Sequence, residues 1–285
     1  MRWTPGGRSE NLEDRRGASP GGFGGGRGLG LGGIIVLVVL SLIFKQDFLS
    51  LAGGAGNLSG GPSADPAPID DPREEKAVQF MSWVLNDAQD TVWAVLLPQT
   101  MNTQYTDAHL VLFRDVVRSG CGTAQAASGP FYCPADQKVY VDLSFWDQLG
   151  QMGASGEFAQ AYVLAHELGH HVQTLLGTSQ QVSQLQQSRP DVANKASVLL
   201  ELQADCYAGV WGHTAAQRGK LDPGEADQGL RAAAAVGDDH LQKMSTGQVS
   251  PESFTHGSSE QRMMWFRRGF DSGDPRQCDT FSRTK

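Results

Sequence analysis

His166 and His170 stand four residues apart with Glu167 between them, in the segment AYVLAHELGHHV. Residues four apart lie one above the other on an α-helix, so the two imidazoles can aim at a single ion. Glu167, one position on, lies beside that face and can take a proton from a water held by the ion. The flanks predict a helix: Phe158, Tyr162, Leu164 and Ala165 come before, Val172, Leu175 and Leu176 after, and Gly177 supplies a stop. This apolar setting argues against two histidines and a glutamate displayed to solvent, because an unpaired buried carboxylate is costly. The chemistry predicted is hydrolysis by a water activated on one Zn2+ ion.

A catalytic zinc takes three protein ligands and keeps a position open. The metzincin spacing requires Gly at 173 and His at 176, and the chain has Gln173 and Leu176, which excludes that class. The helix-forming segment VLLELQADCYAGVW offers Glu201 instead, among apolar neighbours. Asp205 follows one turn later, placed to orient a ligating histidine through its free ring N–H. The expected metal ligands are therefore His166, His170 and Glu201, a gluzincin arrangement, with Glu167 as general base.

Other residues carry weaker signals. His256, in SFTHGSSEQRMMWFRRGF, is a loop histidine ahead of a helix and a candidate oxyanion donor, with capping or packing as the competing role. Tyr162 is a second oxyanion candidate, and Arg262 is expected as a structural ion-pair partner. His171 points about 100° away from His170 on the helix and is expected to be structural or exposed. His109, His213 and His240 carry no spacing argument.

These residues need helices to hold them. The pattern predicts helices near 156–176, 191–218, 224–246 and 258–270. Upstream, Val78, Met81, Leu85, Ala88, Val92 and Val95 recur at helical steps, with Asp71 and Pro72 as start signals and Pro98 as a stop. His109–Val117 reads as a strand. Gly129–Phe145 reads as a hairpin whose turn is Pro134–Asp136 and whose second arm, Lys138–Leu143, is expected to pair with an extended peptide substrate. The polar stretch 177–195 is a candidate mobile cover. A small sheet followed by helices is an α+β arrangement.

The formal net charge of −8 argues against nucleic acid as a partner. Residues 1–27 are Gly- and Arg-rich and are expected to be disordered. Residues 28–44 (GLGLGGIIVLVVLSLIF) carry no charge and are expected to be a transmembrane signal anchor, with 45–73 a flexible linker and 74–285 the folded domain. Arginines concentrate before the apolar run, which predicts a cytoplasmic N-terminus and a domain outside. A cleaved signal peptide and a buried core helix are the competing readings. Cys121, Cys133, Cys206 and Cys278 suit an exported domain with two disulfides, three pairings being open. A cysteine zinc site is disfavoured because no C-x-x-C spacing exists, and free buried thiols would suit a cytosolic domain.

Taken together, MRWTPGGRSENLEDRRG, the Gly-rich apolar run, HELGHHVQ, ELQADCYAGVW and FTHGSSEQRMMWFRRGF resemble the bacterial "putative neutral zinc metallopeptidase" family of the YpfJ type. The likeness runs over nearly the whole chain. It implies a zincin-like domain outside the cytoplasm on a single-pass anchor in the bacterial inner membrane, zinc on His166, His170 and Glu201, and catalysis by Glu167. It supplies no substrate beyond a peptide or protein. The alternative is a non-catalytic, zinc-stabilised domain that binds peptides or scaffolds the envelope, which an intact Glu167 argues against.

Overall fold

The computed structural model describes residues 1–17 and 72–282. Its strands are β1 (Leu12–Asp14), β2 (His109–Phe113), β3 (Val116–Ser119), β4 (Gly122–Gln125), β5 (Phe131–Cys133) and β6 (Lys138–Asp142). Its α-helices are α1 (Pro72–Asn86), α2 (Ala94–Met101), α3 (Phe145–Gln151), α4 (Glu157–Leu175), α5 (Thr178–Ser188), α6 (Ala193–Gln217), α7 (Glu225–Ala235), α8 (Asp238–Thr246) and α9 (Ser259–Ser272). The architecture is α+β, as the pattern predicts.

The main sheet runs β1-β2-β6-β5, parallel at its first two pairings and antiparallel in the β5–β6 hairpin. Alternation sorts its side chains between two cores. Leu110, Leu112, Val139 and Val141 join the main core with the helices. Val111, Phe113 and Tyr140 face the other way, under the β3–β4 ribbon. The expected single strand over 109–117 is two strands, because Asp115 turns the chain with φ 59°. The hairpin forms where expected, but β6 lies between β2 and β5 and has both edges taken. It cannot accept a peptide strand; among the described residues, the free edge of this sheet on that side belongs to β5.

Bare backbone lets the long helices meet. A Cβ added at Gly169 on α4 would lie 3.0 Å from the Ala204 carbonyl oxygen of α6. On α6 and α9 the fit is tighter: a Cβ added at Gly269 would fall 1.9 Å from the Cys206 carbonyl oxygen, and one added at Gly209 would fall 2.1 Å from the Phe266 carbonyl oxygen.

Both contacts are too short for any side chain, so α6 and α9 cross backbone to backbone. Similar crowding breaks the helix expected over 224–246: a Cβ at Gly237 would lie 2.4 Å from the Ser259 backbone nitrogen, and the chain turns there between α7 and α8.

Two further expectations shift. The first long helix loosens into π geometry over Asp87–Trp93 and stays helical past Pro98, which lies inside α2. Stretch 177–195 holds α5, which buries Val182, and a 3-10 turn at Pro190–Val192. Disulfides Cys121–Cys133 and Cys206–Cys278 tie the β3–β4 turn to β5 and α6 to the C-terminal segment.

The largest correction concerns the N-terminus. Residues 1–17 belong to the folded unit, where β1 extends the sheet at the edge of β2. Arg16 is sealed between Asp14 (2.7 Å) and Glu74 (2.8 Å), and Arg8 reaches Glu75. Trp3 packs on Phe80, and its indole N–H donates to Glu157 (3.2 Å). Average composition hides this, because a short strand borrows its pairing from residues far along the chain. Residues 1–17 and 72–282 share a sheet, so residues 1–17 are folded where disorder is expected. The runs 28–44 and 45–71 lie outside the described residues, and among the described residues no helix is long and apolar enough to cross a membrane.

Candidate metal centre

Helix α4 carries His166 and His170 one turn apart, their rings 4.8 Å between centroids and nearly perpendicular. Helix α6 carries Glu201 and, one turn on, Asp205. The close approach at Gly169 brings the two helices together, and Glu201 meets both histidines: Oε2 lies 3.1 Å from His166 Nε2 and Oε1 lies 3.4 Å from His170 Nε2. One ligand atom from each residue lies within 4.8 Å of the others.

The outer ring nitrogens are already committed. His166 Nδ1 lies 2.9 Å from Asp205 Oδ1, and His170 Nδ1 lies 2.8 Å from Gln173 Oε1. Gln173 must present its oxygen there, because its amide nitrogen donates to the Leu200 carbonyl (2.7 Å). Both histidines therefore donate Nδ1–H outward, which leaves Nε2 as the nitrogen that can face a metal. Two imidazole nitrogens and a carboxylate are a zinc donor set with room for a further ligand. The residues fit the ion.

Asp205 is the hub behind the ligands. It accepts from Tyr162 Oη (2.5 Å) and from Arg262 Nε and Nη2 (2.8 and 2.9 Å), besides His166. Burial would lower the His166 pKa, but Asp205 and Glu201 outweigh it and hold it up to about 9 without the metal. Burial would raise the Glu201 pKa, but His170 and His166 pull it well below the usual range. Arg262 is thus the buried ion-pair partner expected of it. Tyr162 is not an oxyanion donor: it is fully buried, with its hydroxyl spent on Asp205.

Glu167 is buried beside the ligands, and its charge bears on His170. His171 is structural: its ring lies 2.6 Å from the Thr106 carbonyl and 3.0 Å from Tyr132 Oη, which pins β5 beside α4. His256 stands half exposed, held by Asp238 at 3.1 Å. His213 bonds the Phe270 carbonyl, away from the ligands. Sequence reasoning missed the roles of Gln173 and Asp238. Gln173 had a local signal, one turn after His170; Asp238 had none.

A family model described as "Putative neutral zinc metallopeptidase" matches residues 1–281. "Uncharacterized protein YpfJ" of Escherichia coli K12 is 47% identical over 292 residues, covering all of both chains. "Uncharacterized protein Rv2575" of Mycobacterium tuberculosis H37Rv is 44% identical over 217 residues, 72% of this chain and 71% of that protein. No solved structure matches. With two inward-facing imidazoles and a carboxylate at its centre, the chain belongs to the putative neutral zinc metallopeptidase family.

Proposed function

We propose that this protein is a zinc peptidase that hydrolyses peptide bonds in polypeptide substrates. The observation that carries the reading is the convergence of His166, His170 and Glu201 with Glu167 on the same helix turn as the two histidines. When bound, the zinc supplies Lewis-acid chemistry, polarising an oxygen and acidifying a water. Glu167 takes a proton from the water as its oxygen adds to the peptide carbonyl carbon, then gives the proton to the leaving amine as the C–N bond breaks. Asp205 and Gln173 keep both imidazoles in the ligating form throughout.

An extended substrate has a place to pair at β5, whose outer edge meets no strand among the described residues and which His171 and Tyr132 hold beside α4. The two disulfides favour an oxidising compartment outside the cytoplasm, with residues 1–17 and 72–282 on the same side of the bacterial inner membrane.

The test is Glu167→Gln in the full chain. One zinc per chain is expected in both proteins, with hydrolysis of labelled casein lowered about 10²–10⁴-fold in the variant. Undiminished hydrolysis in the variant overturns the scheme. Zinc without turnover in either protein favours a zinc-stabilised binding domain instead.

A further inference from the structure

The loop 255–257 is built around one carboxylate. Asp238, the first residue of α8, accepts on Oδ2 the backbone N–H groups of Thr255 (2.8 Å), His256 (2.6 Å) and Gly257 (3.0 Å). Its Oδ1 lies 3.1 Å from His256 Nδ1, and its own N–H donates to the Gly257 carbonyl (2.8 Å). Backbone and ring of His256 are therefore fixed by the same side chain.

The loop lies against the metal centre. An added Cβ at Gly257 would meet Val198 and Leu202 on α6, each at 3.3 Å, and these residues flank Glu201. Ser258 then opens α9 with a capping box, and α9 carries Arg262, which holds Asp205. The segment that presents His256 thus starts the helix that locks His166. Among these groups the His256 ring is the accessible one, its side chain 51% exposed.

We propose that Asp238 is a positioning residue that holds the His256 imidazole at the mouth of the metal centre, with Nε2 turned to the substrate oxygen that becomes negative on attack. This rests on the peptidase reading. As the water oxygen bonds to the carbonyl carbon, the π electrons of the C=O bond move onto its oxygen, and His256 donates a hydrogen bond there without losing its proton. The electrons return as the C–N bond breaks. Asp238 keeps Nδ1–H engaged and balances the ring's charge. Burial lowers the His256 pKa, yet Asp238 and Glu201 outweigh burial and the opposing Arg262, leaving it above the usual value.

The experiment compares His256→Ala, Asp238→Asn and the double variant as zinc-loaded full-length chains on labelled casein. His256→Ala is expected to lower kcat about 10²-fold, with KM and zinc content unchanged. Asp238→Asn is expected to lower kcat less, and to have no further effect once His256 is gone. A readout free of turnover is the nitrogen-15 spectrum of the metal-free protein, where Asp238→Asn should shift the His256 Nδ1 resonance. Unchanged kcat in His256→Ala, beside lost turnover in Glu167→Gln, overturns the proposal and leaves the peptidase reading standing. Additive losses in the double variant, or an unmoved Nδ1 resonance, also overturn it. Undiminished turnover in Glu167→Gln removes the reading on which it rests.

Discussion

At the metal centre the Arg262 and Asp205 side chains are 4% and 0% exposed; in the N-terminal clasp Arg8 and Glu75 are 43% and 36% exposed. Both regions join elements through arginine–carboxylate pairs, but they work in different surroundings. Around Asp205 the charges are buried and each needs its partner, so losing one leaves another stranded. Along the clasp, most pairs face solvent and are screened, and cohesion is shared with strand pairing and the Trp3–Phe80 contact. Arg16, sealed beside Asp14 and Glu74, and the Met1 amino group beside Glu225 are the exceptions within the clasp. The difference teaches that the metal centre is bound up with the stability of the whole domain, whereas the clasp can loosen on its own.

Arg262→Met probes the strongest side of that contrast. It should cost about 3–5 kcal/mol of stability in the metal-free protein, because Asp205 stays buried without its partner. Calorimetry measures this, and zinc titration should show affinity weakened about 10–100-fold. A loss below about 1 kcal/mol would place Asp205 among the screened surface pairs and erase the distinction.

Arg16→Ala should have a smaller effect, about 1.5–3 kcal/mol, as expected for hydrogen bonds to charged groups. Hydrogen exchange should show the loss at Leu110, whose N–H donates to the Asn11 carbonyl (2.8 Å), while amides of α4 stay protected. Equal loss across α4 would mean that clasp and metal centre unfold together.

Acid should give the smallest effect. Arg16 holds the Asp14 carboxyl below its usual pKa, and Arg8 does the same for Glu75. A carboxylate depressed in the folded state contributes stability above its unfolded pKa, about 4, and loses it as pH falls through the folded value. Exchange at Leu110 should therefore quicken below about pH 4, and added salt should lessen the dependence. Unchanged exchange across that range would show that strand pairing alone retains the clasp.

The cluster of His166, His170 and Glu201 was legible because helical spacing is local: His166 and His170 share a face, and the apolar flanks of Glu201 mark it as buried. Asp205 followed from the same one-turn step. Arg262 reaches Asp205 from a helix whose placement depends on Gly209 and Gly269, and no short window reveals a crossing of that kind. The N-terminal strand was illegible for a related reason, since the partner of Leu12 is Leu110. The hairpin was found but not its neighbours, so β6 was taken for an edge when it is interior.

That pairing of Leu12 with Leu110 also bears on the order in which the molecule assembles. Contacts between distant parts of a chain form slowly, while the β5–β6 hairpin needs only a short turn. Closing the longer loop costs little more at equilibrium, because loop entropy grows only with the logarithm of length. The delay is therefore a matter of rate. Until the first residues return, β2 offers an open row of backbone donors and acceptors to any strand that arrives, including the same segment of another copy.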